Sequence, residues 1–228
     1  MRGRRPARLI ALTLGATLLG LMAPAGSANA AAGEVDESRL QPALSPTFAP
    51  WDCTLKASGP VCTGERHLTF GWEPNPDFAC AVPLWGARTE DRYQTRFYDQ
   101  DYLNYDRAFR TRDTDFLSTS PTGPATATID ANLRFTEQFA VPGDDSTLTV
   151  ISSGTIWDIR PVNGPPVFRA VGALVEPFDG PATFTGHVTI DGVTTRYVDA
   201  PLESFFTFES FSEWVCQAAT GSGSTVGA

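Results

Sequence analysis

The densest group of chemically useful side chains lies between Phe97 and Asp115, in the stretch FYDQDYLNYDRAFRTRDTD. Its nineteen residues include five aspartates, three tyrosines and three arginines. Carboxylates at this density can ligate calcium or work as an acid–base pair, and arginines can bind anions. The spacing of the side chains indicates which of the three functions they can perform.

A calcium loop is the first possibility, because oxygen ligands follow one another closely in this stretch. A helix–loop–helix calcium site needs glycine at its sixth position and glutamate at its twelfth. Counting from Asp99, this chain has Asn104 and Arg110 at those positions. We therefore expect no site of that type and no metal cofactor, and only weak calcium binding of another geometry stays open. Its ligands would be Asp99, Asp101, Asn104 and Asp106.

An acid–base pair is the second possibility, because Asp113 and Asp115 are two residues apart and so share one face of a strand. Glycosidases place two carboxylates about 5–10 Å apart. Arginines on neighbouring strands would pair with both aspartates, which argues against this use. A cyclase or isomerase that works through one acid or base is the other enzymatic alternative. Its candidate residues are Tyr93, Tyr98, Asp113 and His187.

A polar hairpin is the third possibility, with strands over 87–98 and 105–118 that meet at the turn DQDYLN. Arg110 and Arg112 alternate with Thr111 and Asp113 on the second strand. One face of the first strand carries Arg88, Glu90, Arg92, Gln94, Arg96 and Tyr98.

The sequence does not decide which face of this hairpin points inward. If the polar faces point to solvent, they form an ordinary set of cross-strand ion pairs. If they point inward, they line a site for an anion or another polar ligand. The candidate ligand-binding residues are Arg92, Arg96, Tyr98, Arg110, Arg112, Asp113 and His187.

Other catalytic patterns are missing from the sequence. His67 and His187 have no metal-ligand partner at short spacing, and no G-x-S-x-G or phosphate-binding glycine loop occurs. We therefore predict a non-enzymatic binder without a cofactor, and keep a barrel enzyme and a purely structural surface protein as alternatives.

The sequence predicts that most of the elements that position these residues are β-strands. The stretch 125–139 alternates almost without a break between apolar and polar residues, which predicts one buried and one wet face. Further strands are predicted at 66–72, 146–160, 166–176 and 182–190, with an Asp191-Gly192 turn leading into VTTRYVD.

We predict an all-β fold, an antiparallel meander of about eight strands closed into a barrel, with a β-sandwich as the alternative. A short helix over 209–219 ends it. Four phenylalanines near this helix are assigned to the core, or alternatively to a lid: Phe205, Phe206, Phe208 and Phe211.

Four cysteines follow the first fifty residues, and an even number in an exported chain predicts two disulfides. Three pairings are possible. The turn in CTLKASGPVC favours Cys53–Cys62, which leaves Cys80–Cys216. The absence of a CxxC pair argues against a zinc site.

The first thirty residues combine four arginines, an apolar run and small residues before Ala30, which is typical of a secretory signal peptide. The formal net charge of −9 would become −13 after its removal, which disfavours nucleic acid and anionic lipid as partners. We predict a secreted protein with no membrane insertion. The predicted segments are a signal peptide (1–30), a flexible leader (31–50), one domain (51–219) and a flexible tail (220–228).

The part of the chain from about residue 78 to 219 resembles a group of exported bacterial small β-barrel proteins of uncharacterised activity. The features that carry the resemblance are CAVP (80–83), FYDQDYLNYDR (97–107) and WVCQAA (214–219). The chain departs from the group at Tyr102, where a glycine is usual, and in its extra front section. The resemblance implies a compact barrel with a disulfide from front to back, and it implies no activity.

Overall fold

The computed structural model describes residues 34–221 and shows a meander of nine strands followed by one α-helix. The predicted signal peptide over 1–30 and residues 222–228 of the predicted tail lie outside the described residues. The strands are β1 (Asp52–Lys56), β2 (Gly59–Asn75), β3 (Leu84–Tyr98), β4 (Asn104–Ser118), β5 (Ala127–Phe139), β6 (Leu148–Pro161), β7 (Phe168–Glu176), β8 (Thr183–Ile190) and β9 (Val193–Pro201), and the helix is α1 (Phe208–Thr220).

The strands form one antiparallel sheet in chain order from β1 to β9. This confirms the predicted all-β meander, because each predicted strand coincides with an observed one. Within residues 34–221, β1 and β9 are the two edges of the sheet, and closure into a barrel is not confirmed. The edge strand β1 has only five residues, which limits what it could pair with.

The sheet has an inner face with an apolar end and a polar end. At the apolar end, Leu117, Phe168 and Phe184 are fully buried against residues of the C-terminal part of the chain. At the polar end, the inner face of β2, β3 and β4 carries buried charged side chains instead. We call the opposite side of the sheet the outer face.

Helix α1 covers the apolar end and contacts β5 and β6. It begins with a capping box in which the Thr207 hydroxyl accepts from the Ser210 backbone N–H, and it ends at Gly221 in the left-handed conformation. None of the helices in the described part of the chain is long and apolar enough to cross a membrane.

The aromatic residues around α1 form the core that the sequence predicted, with one exception. Phe205 and Phe206 are buried, whereas the Phe208 side chain is exposed at the start of the helix. Trp214 stacks on Phe168 with ring centroids 4.0 Å apart. Packing against fully buried strand residues supports a core role for most of this group, in preference to a lid.

Both predicted disulfides are present, Cys53–Cys62 and Cys80–Cys216. Cys53 and Cys62 lie directly opposite each other on β1 and β2. Cys80, which precedes β3, is joined to the buried Cys216 of α1.

The N-terminal segment differs from the flexible leader that its composition suggests. Over the described residues 34–50 it packs against the polar end of the inner face, and Val35, Leu40 and Phe48 are buried. Gln41 forms an isolated parallel bridge with Leu103. These contacts, which join residues far apart in sequence, give the segment a defined position.

Candidate functional site

The register between β3 and β4 divides the predicted ligand-binding residues between the two faces of the sheet. Arg92 lies opposite Thr111, so the even residues of β3 and the odd residues of β4 share the inner face. This puts Arg92, Arg96, Tyr98 and Asp113 inside and Arg110 and Arg112 outside. His187 is exposed on the outer face of β8, where it lies opposite Arg196 of β9. The seven candidates therefore do not form one site.

Inside, the charged residues neutralise one another around Glu90, which is only 4% exposed. The Glu90 carboxylate lies 3.0 Å from Arg88 and 3.2 Å from Arg92, and it also contacts Arg66. Asp113 accepts from Arg88 at 3.1 Å and from Arg92 at 2.8 Å. Because each buried carboxylate already has arginine partners, this inner network is arranged for structural pairing.

Asp115 lies at the edge of the inner network, with its carboxylate 3.6 Å from Arg88 Nε. Burial raises the pKa of Asp115, Arg88 lowers it, and neighbouring carboxylates raise it further. Asp113 also accepts from the Thr111 hydroxyl at 2.8 Å. Asp113 is thus held by three donors, while Asp115 has the looser environment of the two.

Arg96 and Tyr98 contact the N-terminal segment of their own chain. Arg96 Nη1 donates to the Ala43 carbonyl at 3.0 Å, and the Tyr98 hydroxyl donates to the Pro42 carbonyl at 3.3 Å. Burial is the main cause that raises the pKa of Tyr98. Both side chains are therefore occupied in this structure.

Among the aspartates from Asp99 to Asp106, Asp99 shapes the hairpin turn. Asp99 accepts from the backbone N–H groups of Asp101 and Leu103, both at 2.9 Å. Tyr102 has φ 68°, in the left-handed region. No group of three or more metal-ligating side chains suited to a metal ion occurs within residues 34–221. The turn thus uses Asp99 to satisfy its own backbone.

The outer face brings together three arginines that we call the arginine array: Arg110, Arg112 and Arg134. Arg110 lies directly opposite Arg134 across β4 and β5, and Arg112 is two residues further along β4. All three are exposed, and none is among the ion pairs of the described residues. Arg110 and Arg112 were predictable from the sequence as ligand-binding residues. Arg134 was not among the candidates, although its place on the wet face of 125–139 was a signal.

Two adjoining shallow grooves run along the array and share Arg110 and Asn132. The first has a volume of about 230 Å³ and the second about 400 Å³. The first is lined by Asp91, Tyr93, Arg110, Thr111, Arg112 and Asn132, and the second by Arg110, Asn132, Leu133, Arg134, Ser153 and Gly154. The lining offers guanidinium, amide and hydroxyl donors beside one aromatic ring.

The array has an energetic cost, because like charges directly opposite each other across a sheet are destabilising. On β6 and β7, the outer arginines Arg160 and Arg169 have an acidic partner, because both contact Asp158. Within residues 34–221, Arg110 and Arg134 differ from these two arginines, because they oppose each other directly and form no ion pair. An anion bound between Arg110 and Arg134 would remove this repulsion.

His67 and Asp91 flank the first groove. Their side chains lie 2.7 Å apart, and the hydrogen bond to Asp91 is the main cause that raises the pKa of His67. The ring of His67 also meets Tyr93 edge-on, with centroids 6.0 Å apart. Asp91 lies opposite Arg112, so the charge of the His67–Asp91 pair acts on the array.

Comparisons of the chain with protein-family models, with curated proteins and with solved structures found no match. The candidate site is therefore described by the geometry and charge of its own residues.

Proposed function

We propose that this protein is a secreted, non-enzymatic binder of a small anionic ligand, which it holds at the arginine array of its outer face. The observation that carries the proposal is the direct opposition of Arg110 and Arg134, neither of which has an acidic partner within residues 34–221. Guanidinium groups bind carboxylate and phosphate in a bidentate manner, so both chemistries fit.

The open grooves suit a ligand that is held on one side and stays in contact with solvent. Tyr93, whose side chain is 48% exposed, can cover an apolar part of such a ligand. Asn132 and Ser153 supply neutral hydrogen bonds at the sides. The negative net charge of the chain disfavours a long polyanion, so a small molecule is the better match.

Secretion and a closed barrel belong to the same proposal. The N-terminal signal pattern supports export, and two disulfides are compatible with an oxidising compartment. The resemblance to exported small β-barrel proteins supports closure of the meander. Determination of the mature N-terminus by mass spectrometry tests the predicted cleavage after Ala30.

The first prediction concerns replacement of both opposed arginines, Arg110→Ala with Arg134→Ala. We expect the double variant to bind inorganic phosphate and citrate about 100-fold more weakly, because two charge-assisted hydrogen-bonding groups are lost. Isothermal titration calorimetry at low ionic strength measures both ligands and shows whether phosphate or carboxylate chemistry is preferred.

The matched control is Arg169→Ala, because Arg169 is a half-exposed arginine paired with Asp158 on another part of the sheet. This variant should bind both anions as the natural chain does. Equal losses in the two variants, or no binding by the natural chain, would contradict the proposed site.

The second prediction is that anion binding strengthens as the pH falls through the raised pKa of His67. Above that pKa, His67 is neutral, and the negative charge of Asp91 opposite Arg112 repels an anionic ligand. Below it, protonated His67 neutralises Asp91, and the repulsion of an anionic ligand decreases. His67→Gln should abolish this step in a titration with citrate at several pH values. An unchanged pH profile in this variant would show that another group controls binding.

An acid–base hydrolase is the second candidate function, and the raised pKa of Asp115 next to Asp113 favours it. In that case Asp115 would act as the acid and Asp113, held by Arg88 and Arg92, would be its partner carboxylate. This function is supported if the natural chain hydrolyses a glycoside substrate and either Asp113→Asn or Asp115→Asn abolishes that turnover. Anion binding at the array should stay unchanged in both variants. A chain with neither turnover nor anion binding would favour a structural surface role.

A further inference from the structure

The N-terminal segment presents backbone carbonyls to the polar end of the inner face. Between its short turns the segment has polyproline-type backbone angles, with φ −70° and ψ 127° at Ser45 and φ −70° and ψ 145° at Ala49. The turn Pro46–Phe48 is closed by hydrogen bonds from the Phe48 N–H to the Ser45 carbonyl and from the Ala49 N–H to the Pro46 carbonyl, both at 3.2 Å. The Pro42 and Ala43 carbonyls precede this turn and accept from side chains of the strands.

The body of the protein supplies donors to these carbonyls in sequence. Tyr98 donates to Pro42, Arg96 donates to Ala43, and the Trp51 indole N–H donates to the Ser45 carbonyl at 2.9 Å. Two backbone bonds fix the start of the segment, with Gln41 N–H donating to Tyr102 at 3.0 Å and Asn104 N–H donating to Gln41 at 2.8 Å. These contacts therefore recognise the backbone of the segment and not its side chains.

Aromatic and apolar contacts complete the groove. The guanidinium of Arg39 lies 4.0 Å from the centroid of the Tyr102 ring, and that of Arg66 lies 4.8 Å from the Phe48 ring. Leu40 and Phe48 are buried. Aromatic residues together with donors to carbonyls are the usual means by which proteins bind proline-containing peptides.

Gly64 of β2 makes this close approach possible. A Cβ atom at this position would lie 2.7 Å from the Phe48 carbonyl oxygen and 2.9 Å from the Trp51 ring. A glycine inside a strand often marks the place where another backbone comes close. Glycine at position 64 therefore leaves the space that the segment occupies.

Arg96 indicates that this groove is a binding site. It is only 7% exposed, it forms no ion pair within residues 34–221, and its Nε has no acceptor. It also lies directly opposite Arg107. A buried guanidinium without a carboxylate is costly for a purely structural role, and here the carbonyl of the segment meets it.

We propose that the polar end of the inner face is a binding groove for an extended, proline-containing peptide, filled here by residues 41–50 of the same chain and able to accept this segment from a second copy. Exchange of an identical element between copies needs no new contacts, because both copies offer the same donors and carbonyls. The short connection through Trp51 to β1 is the hinge.

A cut in the full-length chain tests whether the segment is a separable ligand. A protease site inserted between Pro50 and Trp51 allows cleavage after folding, with every residue retained. Native mass spectrometry should show the cut segment still bound, and an isotope-labelled synthetic peptide of residues 34–50 should replace it. The proposal is overturned if the cut segment dissociates and the synthetic peptide does not bind in its place. It is also overturned if the cut segment never exchanges with the synthetic peptide while the protein is folded.

Two glycine variants provide the matched comparison. Gly64→Ala should weaken binding of the labelled peptide at least about 10-fold, because its Cβ meets the segment at less than contact distance. Gly71→Ala on the same strand adds a Cβ that meets nothing within 4 Å, so it should leave peptide binding unchanged. Equal behaviour of the two variants would contradict the assigned groove.

Exchange between copies is tested with two uncut variants. Gly64→Ala blocks the groove and keeps the segment, whereas Phe48→Asp damages the segment and keeps the groove. Mixed together, they should form a one-to-one heterodimer that neither variant forms alone. If both are folded by circular dichroism and stay monomeric on mixing, supply of the segment by a second copy is disproved. Should Phe48→Asp fail to fold, the peptide exchange on the cut natural chain decides the proposal.

Discussion

Replacing Cys80 and Cys216 together with alanine should lower the free energy of unfolding by about 4–5 kcal/mol. The two residues are 136 positions apart, so the disulfide closes nearly the whole domain into one loop of the unfolded chain. In the chain-entropy model, the loss of that constraint stabilises the unfolded state. Urea denaturation followed by circular dichroism measures the change.

The other disulfide provides the comparison. Cys53 and Cys62 are nine positions apart on adjacent strands, so removing this bridge should cost about 3 kcal/mol or less. We predict that loss of Cys80–Cys216 lowers the free energy of unfolding more than loss of Cys53–Cys62 does. If loss of Cys53–Cys62 is the more damaging, chain entropy is not the main contribution of these disulfides.

Glu90→Ala should also destabilise the protein strongly, by about 3–5 kcal/mol. The carboxylate is buried among Arg66, Arg88 and Arg92, and its loss leaves three arginines with too few partners. Removing one member of a buried ion network costs more than the network contributes, because the remaining charges are desolvated and unpaired. Thermal and urea unfolding both report the loss.

Glu73→Ala is the control for this variant, because Glu73 is an exposed glutamate on β2. It should change the free energy of unfolding by less than about 0.5 kcal/mol. Glu90→Gln keeps the shape of the side chain and should still be clearly destabilised. A Glu90→Ala variant as stable as Glu73→Ala would show that water reaches the inner arginines and replaces the carboxylate.

The strands and the helix were largely predictable, because local patterns specify them. Alternation over 125–139 and the Asp191-Gly192 turn correspond to β5 and to the β8–β9 hairpin. The predicted helix over 209–219 corresponds to α1. In each case the pattern extends over neighbouring residues, and the side-chain period of the element is enough to recognise it.

The N-terminal segment could not be predicted in the same way. Its proline, alanine and serine content indicates only that it lacks a regular element of its own. Its position depends on Arg96, Tyr98 and Tyr102, which lie some fifty residues later in the chain. No local pattern contains information on such a distant partner.

By itself the sequence determined the class of the fold, the order of its strands and the cysteine pairing, because these follow from side-chain period, turn residues and the spacing of cysteines. Only the tertiary structure decided which polar residues face each other. Both faces of β3 and β4 are polar, so alternation separates Arg92 from Arg110 without showing which is inside. Pairing across β4 and β5 placed Arg110 against Arg134, and packing of the N-terminal segment enclosed Arg96. Strand register and long-range packing set these positions, and neither is encoded in a short stretch of sequence.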